Sequence, residues 1–291
     1  MMTHAERFRS YLKDNDLVMI PGCYDAIGAT IIEKTGYKAL YVTGSGVSLT
    51  LLGHPDVNTI SYSELYQKVF QIRSAVDVPM LVDIDTGFGG PLNTIRLIKD
   101  FEQIDIAAVQ IEDQIAPKRC GHEVGRKVVP LEEMLNRIRT IVDARKENGI
   151  VIVARTDSYS SLGIDEAIRR GNAFLEAGAD VVFIESPETK EDIARIAKEV
   201  NGPVLFNNVE GGRSPFMTAE ELQNDGFKFV IYPNAVTRIC CKKIEELLLD
   251  LKEKGTTEGM WDQMMDHKEV WKLFDAEGFY ETESKYTSFR E

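Results

Sequence analysis

Lys118-Arg119-Cys120-Gly121-His122 puts a thiol, two strong cations and an imidazole into five residues, with a glycine that lets the backbone turn. Neighbouring cations lower a thiol's pKa and keep it available for proton transfer. A cysteine also serves as a small buried hydrophobe, but a core has no use for this mixture around it. The segment is expected to be a mobile lid, with Cys120 as proton donor and Lys118 and His122 beside it. For His122 a purely structural reading stands equally. The pocket beneath is expected from the apolar and acidic runs around the lid, starting with Glu112-Asp113.

Three carboxylates lie upstream of the lid. Asp83 and Asp85, two apart on a strand, share a face; loop solvation or an Asx turn before Gly87 is the plainer reading. Glu112 from the next strand adds a third carboxylate near the same point. Uncompensated, the three repel and raise one another's pKa. A hard divalent cation relieves that, and an all-oxygen ligand set favours Mg2+, with Mn2+ possible, over zinc. Arg155 either pairs with Glu185 across neighbouring strands or grips a substrate carboxylate with its fork, and both can hold. Gly44-Ser45-Gly46, after Tyr41 and Thr43, is either a tight turn or a source of backbone N–H groups for an anionic oxygen. Asn207 and Tyr232-Pro233 complete a series of polar residues that follow apolar runs. Cys23, Cys240 and Cys241 read as small hydrophobes, and His54 and His267 as structural.

The elements that must hold these residues recur regularly. Apolar runs of strand character fall at 17–20, 39–42, 79–85, 107–112, 150–155, 181–185, 203–207 and 229–232. Strands so uniformly apolar suit a parallel sheet buried on both faces. Helical patterns lie between them. Ser61 with Glu64 and Thr218 with Glu221 form capping boxes. Leu131, Met134, Leu135, Ile138, Ile141 and Val142 form a stripe after Pro130. Further helices run from Ile164 toward Gly178, from Thr189 to Asn201-Gly202, and over 236–253, and residues 5–15 form a short amphipathic one. Eight strands alternating with helices predict an α/β fold, a (β/α)8 barrel, with a doubly wound open sheet as the rival. One domain over 1–291 is expected. Residues 256–291 form a C-terminal extension, helical near 261–274, which either caps the barrel or packs on another subunit.

The balance of charge excludes some partners. A net charge of −13 leaves no basic face to neutralise phosphates, so nucleic acid is not expected. No apolar run reaches the length of a membrane span or forms a signal peptide, and no CxxC pair is present. A cytoplasmic protein with reduced thiols is expected.

Four motifs in order, Asp83-Ile-Asp85-Thr-Gly87, Glu112-Asp113-Gln114, Pro117-Lys118-Arg119-Cys120-Gly121-His122 and Ala154-Arg155-Thr156-Asp157, resemble the isocitrate lyase/phosphoenolpyruvate mutase superfamily from about Pro21 to Ser284. The cysteine-bearing lid looks like that of its carbon–carbon lyases; phosphonopyruvate-handling members lack it. The resemblance implies a barrel whose last helix swaps between subunits of a dimer-of-dimers homotetramer. It implies Mg2+ on Asp85, with Asp83 and Glu112 acting partly through water and Asp56 nearby. It implies an oxyacid site lined by Tyr41, Thr43, Gly44, Ser45, Gly121, Arg155, Glu185 and Asn207, with Cys120 as general acid. The implied reaction is retro-aldol (Claisen-type) cleavage of a 2-hydroxy dicarboxylic acid. The base is left between a carboxylate near the metal and Tyr41. Residues 207–215, Pro233 and the ending 280–285 look most like the 2,3-dimethylmalate lyase and petal death protein branch, which handles alkylated malates. The expected reaction is therefore 2,3-dimethylmalate to pyruvate and propionate. Methylisocitrate lyase is the first alternative: Arg238 falls where its third-carboxylate arginine is expected, but His267 aligns with the other. Oxaloacetate acetylhydrolase is the second, disfavoured because such enzymes carry serine where Pro233 aligns. A noncatalytic dicarboxylate-binding barrel is the non-enzyme alternative, and mere binding needs no proton donor.

Overall fold

Strand residues alternate between two environments, and that alternation builds the molecule. A computed structural model describes residues 2–119, 121, 123 and 125–287 of the chain. The strands are β1 Val18–Cys23, β2 Leu40–Val42, β3 Met80–Asp83, β4 Ala108–Glu112, β5 Val151–Thr156, β6 Val181–Ile184, β7 Val204–Asn207 and β8 Phe229–Tyr232. Each pairs in parallel with its neighbour in sequence, and β1 closes on β8. The eight expected runs are the eight strands of a (β/α)8 barrel.

One set of side chains, including Ile20, Tyr41, Leu81, Ala108, Val153, Phe183, Leu205 and Ile231, packs into a single buried cluster. Its members sit two apart along each strand, as residues on one face must. The intervening set, such as Val42, Val82, Val109 and Ile152, packs instead with helix residues Leu65, Val69, Leu97 and Ile138. The first set therefore fills the barrel and the second backs it against the helices. Phe8 of the N-terminal helix His4–Tyr11 joins the interior cluster and stacks on Phe229 with ring centroids 5.0 Å apart. Burying that ring contributes on the order of 2–3 kcal/mol and closes the strands' N-terminal end.

The Ser61–Glu64 and Thr218–Glu221 capping boxes are both formed. Several helices were not legible as such, among them Ala26–Lys34, Pro91–Gln103 and Gly44–Leu52. Pro91–Gln103 starts on a proline and buries Thr94, Leu97, Ile98 and Phe101. Gly44–Leu52 replaces the expected tight turn at Gly44-Ser45-Gly46: Thr43 caps its start and Gly53, at φ +65°, ends it in the left-handed region.

The chain divides into two compact units, Met1–Thr237 and Arg238–Glu291, with the boundary inside the helix Ala235–Lys254. The second unit continues through a 3-10 turn, Glu258–Gln263, and the helices His267–Leu273 and Ala276–Thr287. Within it, the His267 ring packs tilted against Trp271 with centroids 4.2 Å apart, and Trp271 Nε1 donates to Tyr280 Oη at 3.3 Å. His54 is exposed. Among the described residues, no helix is long and apolar enough to cross a membrane.

Barrel closure leaves no room at Gly22: a Cβ there would lie 2.1 Å from the carbonyl oxygen of Pro233. Gly22→Ala is expected to cost about 1–3 kcal/mol by overpacking the β1–β8 seam. Thermal unfolding should show a Tm several degrees lower, and an unchanged Tm would mean the seam can spread.

Candidate active site

The inward-facing set changes character at the strands' C-terminal ends. Below, it is Leu81, Val153, Phe183 and Leu205; two residues further along come Asp83, Arg155, Glu185 and Asn207, all buried. The polar residues are thus the top layer of the barrel interior, where this fold assembles its chemistry.

Asp83 and Asp85 do not share a strand face. β3 ends at Asp83, and Asp85 sits at φ +48° in the left-handed region, where aspartate is tolerated at a cost of about 1 kcal/mol. The turn is held on both sides: Asp85 N donates to Asp83 Oδ1 at 3.1 Å, and Glu112 N donates to Asp85 O at 2.9 Å. The Asx turn and the carboxylate pair are one structure. Asp83 is further engaged by Tyr41 Oη at 3.1 Å and Gln110 Nε2 at 3.3 Å, so both its oxygens accept hydrogen bonds. Asp85 is the carboxylate that the turn swings away.

Lys118 reaches into this corner. Its Nζ lies 2.6 Å from both oxygens of Asp56 and 2.8 Å from Asp85 Oδ1, with only 4% of the side chain exposed. Asp56 arrives after Gly53, and Ser48 Oγ steadies the connection by donating to the carbonyl of His54 or Pro55. Burial alone depresses the lysine's pKa, but Asp85, Asp56, Asp83 and Glu112 outweigh it and keep the ammonium charged. Burial pushes Asp85 up to about 6 against the pull of Lys118. Burial likewise drives Glu112 well above the usual carboxylate range, with Arg155 opposing.

Arg155 is the hub of the opposite wall. Its Nε and Nη2 donate to Asp157 at 2.9 and 2.8 Å. Nη1 lies 3.3 Å from Glu112 Oε2, and Nη2 lies 3.5 Å from Glu185 Oε2. The guanidinium also lies over the Phe183 ring, 5.3 Å from its centroid. Asn207 Nδ2 donates to Glu185 at 3.1 Å, and Ser186 Oγ lies 2.7 Å from Glu185 Oε1. The pairing of Arg155 with Glu185 is therefore loose, and the tight fork goes to Asp157. Asp157 also takes Arg126 Nη1 at 2.5 Å, with both side chains fully buried. Beneath it, Asp113 accepts from Thr156, Arg170 and the Asp157 amide; burial pushes Asp113 up to about 6. Asp113 and Asp157 stood in the sequence motifs, but Asp157's hold on both Arg155 and Arg126 was not foreseen. Gln110, Phe183, Ser186 and Arg126 were not foreseen; inward parity along β4 and β6 is the signal that marks the first two, and no local pattern marks the others.

Cys120 and His122 lie outside the described residues. The lid around them is stapled at its base, where Ile115 N donates to Lys127 O at 2.9 Å. Gln114 exchanges hydrogen bonds with the backbone of Arg119 at 2.9 and 3.0 Å. Gly121 is buried, and a Cβ on it would meet Arg155 Nη2 at 2.5 Å and the Glu185 carboxyl carbon at 2.7 Å. Gly121 therefore sits directly against the Arg155–Glu185 wall, its carbonyl accepting from Ser186 Oγ at 2.9 Å. Beneath it is a cavity of ≈ 40 Å³ lined by Tyr41, Thr43, Ser45, Asp56, Asp83 and Arg155, with Asn207, Val209, Pro233 and Asn234 on its far side. A space of that size holds a water or two. At the cavity, the start of the helix Gly44–Leu52 offers backbone N–H groups without intrahelical partners to an anionic oxygen. Arg238 opens the second unit.

The residues suit an oxygen-ligated divalent ion. Among the described residues, Glu112 Oε1 and Asp85 Oδ1 are buried without a hydrogen-bond partner, although Lys118 faces the latter as an ion pair. No three acidic, histidine or cysteine side chains among the described residues already form a direct cage. Mg2+ does not require one, because it keeps several waters and takes one or two carboxylates.

A closed (β/α)8 barrel carrying a buried arginine and clustered carboxylates at its C-terminal mouth has the layout of an enzyme site. The family model described as phosphoenolpyruvate phosphomutase matches residues 8–252. The chain is 40% identical to 2,3-dimethylmalate lyase of Eubacterium barkeri over 99% of this chain and 100% of that one. It is 39% identical to 2-methylisocitrate lyase of Halalkalibacterium halodurans over 94% of this chain and 91% of that one. It superimposes with a TM-score of 0.88 on a solved phosphonopyruvate hydrolase in complex with oxalate and Mg2+, at 26% identity and covering 98% and 99% of the two chains. The chain belongs to the phosphoenolpyruvate mutase/isocitrate lyase superfamily and is a carbon–carbon lyase-type enzyme.

Gly121 has no room for a side chain, so Gly121→Ala is expected to lift the lid off its wall. Hydrogen exchange of the Ile115 and Arg119 amides should accelerate at least roughly tenfold while β4 and β5 amides stay unchanged. Unaltered lid protection would show that the wall yields instead.

Proposed function

We propose that the chain is a Mg2+-dependent lyase that cleaves the C2–C3 bond of an alkylated malate, with 2,3-dimethylmalate giving pyruvate and propionate. The observation that carries this reading is Gly121 seated against Arg155 and Glu185, which supports reading the Lys118–His122 segment as a lid on an oxyacid cavity. Similarity over the full length of a 2,3-dimethylmalate lyase supports the substrate.

Asp85 would hold Mg2+, with Asp83 and Glu112 acting through water; when bound, the ion supplies Lewis-acid stabilisation of the substrate's 2-hydroxyl and carboxylate oxygens. Arg155, fixed by Asp157, pairs with a substrate carboxylate, and the first N–H groups of the helix Gly44–Leu52 share that charge. Burial and the neighbouring Asp83 hold the Tyr41 hydroxyl protonated, which leaves a carboxylate near the metal, such as Glu112, to take the C2 hydroxyl proton. The C2–C3 bond then breaks: C2 becomes the keto carbon of pyruvate, and the electron pair passes to the C3 fragment as a carboxylate enediolate. Cys120, sequence neighbour of the cavity-lining Gly121, delivers the proton to C3, completing propionate. One proton leaves oxygen and one arrives on carbon. The closed lid excludes water from the enediolate.

Val209, Phe183, Ile231 and Pro233 give the cavity an apolar side that suits an alkyl substituent. We further propose a cytoplasmic homotetramer with the last helix exchanged between subunits. Ile244, Leu248, Leu249, Trp261 and Phe279 are exposed apolar side chains of the second unit that a partner copy would cover. Sedimentation should give a particle of four chains, and a monomer would exclude this assembly.

With Mg2+ present, a panel of alkylmalates, 2-methylisocitrate and oxaloacetate is expected to yield pyruvate fastest from 2,3-dimethylmalate, and chelation of the metal should abolish turnover. Faster release of oxalate from oxaloacetate would instead assign a hydrolase, and pyruvate from none of the acids would sink the lyase reading. Cys120→Ala should lower kcat by at least roughly a thousandfold while binding Mg2+ and pyruvate nearly as the wild type does. A variant that keeps most of its rate would remove Cys120 from the chemistry.

A further inference from the structure

Tyr41, Gln110 and Asp83 form a closed triangle at the ends of three adjacent strands. Asp83 ends β3 in register with Gln110 of β4, and Tyr41 of β2 is in register with Leu81, two residues before Asp83 on the same face. All three are buried, at 3%, 0% and 8% exposure, so their polar groups must find partners within the protein. Gln110 Nε2 lies 3.3 Å from Asp83 Oδ1, and Gln110 Oε1 lies 3.1 Å from Tyr41 Oη. The opposite amide orientation would set its oxygen against a carboxylate oxygen, two acceptors face to face, so the donor end belongs to Asp83. Tyr41 Oη is also 3.1 Å from Asp83 Oδ2. Both neighbours of that hydroxyl are acceptors and a phenol has one hydrogen, which is spent inside the triangle. Tyr41 therefore lines the cavity with a lone pair and offers it no proton.

We propose that Gln110 is a positioning residue for the metal site, whose carboxamide fixes both the Asp83 carboxylate and the direction of the Tyr41 hydroxyl. This rests on the metal reading above and goes beyond it by assigning a residue that neither lines the cavity nor carries charge. Asp83 Oδ1 takes Gln110 Nε2 and the Asp85 amide, and Oδ2 takes Tyr41, so three protein donors bear on a carboxylate with about four acceptor sites. What remains suits a water on the ion, the role given to Asp83 above, and leaves too little for a grip by both oxygens. Gln110 maintains that count from two sides. Its N–H holds Oδ1 in place, and its oxygen keeps the hydrogen of Tyr41 turned inward. Without it, the carboxylate is free to turn and the Tyr41 hydrogen to leave the triangle. A neutral group is needed there. A carboxylate would add to the repulsion among Asp56, Asp83, Asp85 and Glu112, and a cation would pair with Asp83 in competition with the ion.

The test is direct binding of Mg2+ to the full-length, substrate-free protein by calorimetry, comparing wild type, Gln110→Met, Tyr41→Phe and the double variant. Methionine keeps the length of the side chain and removes both polar ends. Gln110→Met is expected to weaken Mg2+ binding at least roughly tenfold, as loss of an orienting partner behind a metal ligand does. Because Gln110 and Tyr41 act through one carboxylate, the double variant should lose clearly less than the product of the two single losses. A residue that only fills the barrel interior would lower Tm and leave the Mg2+ affinity and this coupling unmoved. Gln110→Asn, one methylene shorter and unable to span both partners, serves the same comparison if the methionine variant does not fold. A smaller loss, tighter binding, or losses that simply multiply in the double variant would overturn the proposal while leaving the metal reading intact. Absence of Mg2+ binding to the wild type would overturn both.

Discussion

A single guanidinium with three carboxylates around it holds the mouth of this barrel together. Arg155 is buried, and burying an isolated cation costs far more than a domain can spare unless partners surround it. Asp157 supplies the tight fork, while Glu112 and Glu185 flank it at 3.3 and 3.5 Å. The partition matters. A guanidinium locked by all three carboxylates would have nothing to offer a ligand. The longer contact with Glu185, which lines the cavity, can be traded for a substrate carboxylate, while the Asp157 fork keeps the plane of the group fixed during the exchange. Asp157 in turn is oriented by Arg126 and, through its amide, by Asp113, so the support reaches from the β5 end into the lid's exit and the helix bearing Arg170.

The same negative excess explains the other half of the site. Asp56, Asp83, Asp85 and Glu112 face Lys118 and the far side of Arg155, and burial drives Glu112 and Asp85 toward protonation. Three responses are available to such a cluster: take up protons, admit a metal, or recruit a lysine. The lysine it recruits belongs to the lid. Among the described residues, its contacts with the site include Lys118 with two aspartates, Gly121 against Arg155 and Glu185, and the Gly121 carbonyl accepting from Ser186 Oγ. Such a contact responds to the arrival of charged ligands in a way that an apolar seal would not.

Much of this was legible from the chain alone, for a definite reason. A parallel barrel strand is apolar on both faces, so where its inward face turns polar the sequence itself changes at a visible position, and Asp83, Glu112, Arg155, Glu185 and Asn207 all announce themselves so. What local pattern does not carry is direction after the strand ends. Alternation placed Asp85 on the same face as Asp83, and the left-handed turn at φ +48° removes it. The helix Gly44–Leu52 was hidden because glycine, serine and threonine are weak helix formers; its cap at Thr43 and stop at Gly53 set it, together with burial of Val47. The meeting of Lys118 with Asp56, 62 residues apart, is a product of barrel closure that no spacing rule encodes. Asp157 was visible in its motif, but its role depends on which of three carboxylates wins the fork, and that is decided by distances.

The division of labour within the barrel follows from the same alternation. The interior below the site is an apolar column from Phe8 through Phe229, Leu205 and Phe183. That column gives the charged layer a low-dielectric floor, which strengthens every ion pair resting on it. Phe183 shows the link most directly, since it belongs to the apolar cluster, lines the cavity and carries the Arg155 guanidinium on its ring. A polar residue at that position would hydrate the floor, weaken the arginine's hold on its carboxylates and admit water to the place where a carbanion-like fragment must survive until it is protonated. The stability of the lower barrel and the chemistry at its mouth are thus set by one packed column of side chains.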